Sequence, residues 1–171
     1  SSPLDLQENQ RLEIEKEQEI LLCGTNSAQG KLVIEFEDEA KLSVIENSFE
    51  TEFNIFHYSG HGIAPEDGGG LLLEDLSGKK QFVGNQELLE SFEKAKNLRL
   101  AVLCGCQTAR TLNTASFQSL AHSMIRKVPG VIAMQFSITD QAGLIFARFF
   151  YPLIVQGTEL DKAMSGVRRI L

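Results

Sequence analysis

Cysteine is scarce in this sequence, at 3 of 171 residues, and the number is odd, so the paired framework of a small secreted domain has little to be built from. A reducing interior, and hence the cytoplasm, is the expected setting. Long apolar runs are missing too. A membrane-spanning helix needs roughly 18 consecutive apolar residues, and the longest candidate, Gly143 to Val155, is interrupted by Arg148 and Pro152. No membrane partner is expected. Basic residues are outnumbered, 16 against 23 acidic for a net charge of −7, and phosphate binding relies on a positive surface, so nucleic acid is not an expected partner. The chain starts at Ser1 with no initiator methionine and no charged-then-apolar leader. That absence decides nothing about location, because a targeting segment can precede this span.

What is present is the make-up of one folded domain covering residues 1–171. Hydrophobic residues are 43% and charged residues 23%, ordinary values for a globular chain long enough to bury a core. The charge is unevenly spread. Residues 1–52 hold 13 acidic and 4 basic side chains, whereas residues 53–171 hold 10 and 12. The acidic front reads as solvated helix and strand faces rather than a docking surface.

Hydrophobic spacing predicts helices over 7–21, 40–49, 115–127, 140–155 and 159–170, with Asn85 capping another through about Ala95. Alternation over Lys31–Glu37 predicts a strand, and Phe53–His57 a second. Leu71–Leu73 and Gln81–Val83 flank a turn-rich stretch and read as a small hairpin. Leu100–Leu103 and Gly130–Met134 are wholly apolar, the pattern of strands covered on both faces in a parallel sheet. Glycines and Pro65 make 62–70 a loop. The fold class is therefore α/β, a three-layer α/β/α sandwich with a mainly parallel central sheet and a small accessory hairpin.

In such folds functional groups gather at the carboxyl ends of the strands. His57-Tyr58-Ser59-Gly60-His61-Gly62 follows one predicted strand and Cys104-Gly105-Cys106-Gln107-Thr108-Ala109 another. A thiolate is a nucleophile, and an imidazole beside it can take its proton and return it to a leaving amine. Carbonyl attack also creates an oxyanion that needs unobstructed backbone N–H donors, for which Gly62 and Cys106 are the candidates. Each half alone is weak, since a free cysteine is usually a small buried apolar residue and a histidine often serves only a hydrogen bond. Tyr58, Ser59 and Thr108 read as packing residues and are not placed in the site.

The HYSGHG stretch, the CGCQTA stretch about 45 residues later, and MQFSITD followed by a helix ending FFYPLIVQGTELDKAM together resemble the CHAT domain. That family is a branch of the caspase-like cysteine peptidases, related to separase and more distantly to caspases. The resemblance spans about Pro3 to Leu171. It implies that His61 is the catalytic histidine and Cys106 the nucleophile, with Gly62 and the Cys106 backbone as the oxyanion hole and His57 in support. Family members commonly carry a small or polar residue where this chain has Cys104. Gln107-Thr108-Ala109 sets the register that assigns the nucleophile to Cys106, which leaves Cys104 as the last buried strand residue.

Two other readings of these residues are weaker. Cys104, Cys106, His57 and His61 form the donor set of many structural zinc sites, but Cys-x-Cys at a strand end lacks the usual Cys-x2-4-Cys spacing. Gly68-Gly69-Gly70 is followed by no Gly-Lys-Ser/Thr and leads into a hairpin rather than a helix, so it is not a phosphate cradle. No metal and no organic cofactor is required. Asp140 opens a predicted helix, where it can satisfy free N–H groups. The resemblance to separase-like relatives also puts it near the pocket for the residue preceding the scissile bond, where an ionised Asp140 facing the pocket would favour a basic residue and any other placement leaves an apolar preference open.

The expected function is that of a cysteine endopeptidase acting on protein or peptide substrates and gated by regulatory domains or a partner protein. The alternative is a catalytically silent caspase-like module that relays signals in a larger signalling or defence protein. The span is expected to be an excerpt lacking the family's first core strand, so that extension upstream would stabilise it.

Overall fold

The computed structural model describes residues 14–26, 32–62, 69–105, 115–134 and 140–171. They form two compact units, one built on residues 37–138 and the other on residues 13–36 and 139–171. The architecture is mixed α/β, with a mainly parallel sheet, a small antiparallel hairpin and helices, as the sequence pattern predicts.

In the first unit, strands β1 (Ile55–Gly60), β4 (Leu100–Gly105) and β5 (Gly130–Ala133) make a parallel sheet in the order β1-β4-β5. Between β1 and β4 the chain forms the hairpin β2 (Gly70–Glu74) and β3 (Lys80–Gly84) and the helix α3 (Asn85–Phe92). Parallel neighbours require such a crossover, because a tight turn can only reverse the chain. Strand β4 is central, and Ala101, Val102 and Leu103 are fully buried, which is why this run shows no polar alternation. Helix α2 (Leu42–Phe49) buries Ile45 and Phe49, and α4 (Ala115–Met124) buries Leu120 and Met124.

One cluster joins these elements. Ile45, Phe49, Tyr58, Leu71, Leu73, Val83, Leu88 and Phe92 pack with Ala101 and Leu103. Within it the Phe49 ring lies 4.8 Å from Phe92 and 5.5 Å from Phe56, the latter edge to face, the geometry aromatic quadrupoles favour. Side chains on a strand alternate between faces. Phe56 and Tyr58 therefore share the face of β1 that meets this core.

In the second unit, α5 (Asp140–Val155) packs against α1 (Ile14–Asn26) and α6 (Leu160–Arg168). Phe146 and Phe150, one turn apart, are fully buried and stacked at 4.8 Å. Gly157 ends α5 with φ +84, while Gly157 N–H donates to Ile154 O and Thr158 N–H to Leu153 O. This left-handed closure satisfies the last carbonyls, and a residue without Cβ adopts it at least cost.

Three expectations are corrected. Residues 32–37, predicted as a strand, belong to no strand among the described residues. Leu32, Ile34 and Phe36 are half-buried and Val33 is exposed, so the alternation reported two faces, whereas a strand also needs a paired backbone. Asn85 is the first residue of α3 rather than its cap. The cap is Gly84, with no side-chain bond, and Asn85 Nδ2 instead donates to Ser119 Oγ at 3.1 Å. The predicted helix over 7–21 is observed as Ile14–Asn26, its first half falling outside the described residues.

Candidate active site

Strands β1 and β4 run side by side in register from Ile55↔Leu100 to Ser59↔Cys104 and Gly60↔Gly105. Both extend past the apolar stretches that announced them. Tyr58 through Gly60 are strand rather than a loop after it, and β4 takes in Cys104, as expected, and Gly105 beyond it. Pairing continues over these small residues because the ladder bonds join backbones and need no apolar side chains.

His61 is the next residue along from Gly60 and is only 3% exposed, with its Nδ1 inaccessible to solvent. Cys106 is the next residue along from Gly105 and lies outside the described residues. Cys104 is 1% exposed within β4, in keeping with a packing thiol. His57, on the opposite face of β1 from Tyr58, has its Nε2 shielded from solvent. Asp140 is the first residue of α5, in the second unit, and its side chain falls outside the described residues.

The backbone around His61 is fixed by the hairpin. Leu72 N–H donates to His61 O at 2.8 Å, and Gly62 forms an antiparallel bridge with Leu71. The Tyr58 phenol, 4% exposed, lies 3.0 Å from His61 O and 2.8 Å from Leu72 O, so its proton ties the strand end to β2. Gly60 makes room for that ring. A methyl group on Gly60 would overlap the Tyr58 hydroxyl and Cζ and stand 2.9 Å from Cε1. Tyr58 was legible only as a packing residue, and the signal for more was its chemistry, since a buried phenol usually finds a hydrogen-bond partner.

These observations define a mixed α/β module with a buried histidine at the carboxyl end of a parallel strand, next to a strand that Cys106 follows in sequence. The family model of the CHAT domain matches residues 7–171, and the chain belongs to that family, a caspase-like, peptidase-related class. No curated protein matches it. Among the described residues no helix is long and apolar enough to cross a membrane.

Proposed function

We propose that the protein is a cysteine endopeptidase with His61 and Cys106 as its dyad. The observation that carries this reading is the β1–β4 register. Its last pair, Gly60↔Gly105, immediately precedes the two residues concerned, and neighbouring strands stand about 4.8 Å apart.

In this reading the Cys106 thiolate attacks the scissile carbonyl carbon, and the carbonyl electron pair moves onto oxygen, held by the N–H groups of Gly62 and Cys106. The oxyanion collapses to a thioester as the C–N bond breaks, and His61 gives its proton to the leaving amine. His61 then takes a proton from water, whose oxygen attacks the thioester, yielding a carboxylate and restoring the thiol. Asp140 would select a basic residue before the scissile bond, and regulatory domains or a partner protein would gate the site.

The test is digestion of a mixed peptide library with mass-spectrometric location of every cut. Cuts are expected from the wild type and absent from Cys106→Ala and His61→Ala. Equal cutting by Cys106→Ala overturns the assignment, and loss of a basic preference in Asp140→Asn would support its role.

A further inference from the structure

We propose that Tyr58 is a positioning residue whose hydroxyl, together with the backbone of β2, clamps the His61–Gly62 peptide plane and so aims the Gly62 N–H. The clamp stands on geometry alone. Its consequence for catalysis rests on the peptidase reading above.

A peptide group is planar, and in the trans form its C=O and N–H point in opposite directions. The carbonyl of His61 and the N–H of Gly62 belong to one such plane. On the carbonyl side the oxygen accepts from Leu72 N–H at 2.8 Å and has the Tyr58 hydroxyl at 3.0 Å. The Leu72 N–H fixes that oxygen, and the hydroxyl, whose single proton is shared between His61 O and Leu72 O at 2.8 Å, bridges it to β2, so the plane has little freedom to rotate and the N–H on its far edge is held in a fixed direction. Bonds to the carbonyl also polarise the amide and strengthen its N–H as a donor.

The bridge between Gly62 and Leu71 is compatible with this. With the Leu72 N–H bonded to His61 O rather than to Gly62 O, the bridge is of the antiparallel kind that does not consume the Gly62 N–H itself. The clamp is also built from buried parts. Tyr58 and His61 are 4% and 3% exposed, Leu72 is 5% exposed, and the ring is seated over Gly60, where a Cβ would collide with it. Water competes weakly for the hydroxyl there, so its bond to a carbonyl is retained.

The decisive measurement is the 1H–15N spectrum of the 171-residue chain labelled at glycine, with the Gly62 resonance assigned through Gly62→Ala. Tyr58→Phe, checked for folding by far-UV circular dichroism, should displace or split the Gly62 amide peak and leave those of Gly130 and Gly157 in place. Gly60→Ala, which must push the phenol aside, is a second perturbation and should displace the same peak. A Gly62 peak unmoved in both variants overturns the clamp. In peptide cleavage, Tyr58→Phe should lower kcat about tenfold, the worth of one hydrogen bond, with KM and the pH profile unchanged. A raised KM at unchanged kcat overturns the positioning role. Displacement of the Gly62 peak in a protein that cuts no peptide supports the clamp and counts against the peptidase reading alone.

Discussion

Alanine at position 60 adds a single methyl group, yet the space it would occupy is filled by the phenol of Tyr58. Overpacking of this kind costs about 1–3 kcal/mol. The cost should depend on the ring, because the colliding atoms all belong to it. Gly60→Ala is therefore expected to lower the urea midpoint in the wild-type background and to cost much less beside Tyr58→Leu, which removes the colliding ring edge. A double-mutant cycle measures that coupling, and additive effects would show that the backbone, not the ring, sets the cost. A second residue-scale feature is Glu46 on α2. Hydrogen bonds from Lys94, just past α3, and then from Ser91, within it, hold its carboxyl below the ordinary value of 4.5. The folded state thus favours the charged form, so the stabilisation is present above the unfolded value and is lost as pH falls through the folded one. The Lys94 and Glu46 side chains are partly exposed, which limits the effect to below about 1 kcal/mol. Glu46→Gln should lower the urea midpoint at pH 7 and lose that deficit progressively as pH falls below the ordinary carboxyl value of 4.5 and through the lowered folded one.

At the scale of elements, the parts that declared themselves are those whose side chains carry the pattern. Leu100–Leu103 reads as a doubly covered strand because β4 is covered by neighbours on both edges and packs on the core. The spacing over 140–155 matches α5 residue for residue, since a long amphipathic period averages over local exceptions such as Pro152. The hairpin was visible in its turn residues, where Asp75 Oδ1 accepts the N–H groups of Ser77 and Lys79 at 2.7 and 2.9 Å. What was not legible depends on partners distant in sequence. The ends of β1 and β4 are set by each other, 45 residues apart, and residues 32–37 alternate without a ladder. Asn85 has the chemistry of a cap but bonds to Ser119, 34 residues on. The candidate site divides in the same way. Two motifs marked His61, Gly62 and Cys106, whereas the roles of the Leu72 backbone and of Tyr58 appear only once β2 is brought against the end of β1.

On the scale of the whole molecule, the second unit joins residues 13–36 to residues 139–171, so α1 depends on a helix more than a hundred residues away in sequence. A 13-residue helix is marginal on its own in water. Deleting residues 139–171 should therefore remove more than the 16 and 9 helical residues of α5 and α6. The 13 residues of α1 should melt as well, read as an excess loss of the helical circular-dichroism signal and as new protease cuts within 14–26. Retention of that signal would mean that α1 is stable without α5.

The same pairing sets an order of events during synthesis. Helix α1 ends at Asn26 and its partner begins at Asp140, an interval that at about 5–20 residues per second takes on the order of ten seconds to translate. Through that interval the first unit can close strand by strand while α1 keeps an apolar stripe uncovered. A nascent chain stalled before Asp140 should thus be the species most readily captured by chaperones that bind exposed apolar segments, and release of the completed chain should end that capture.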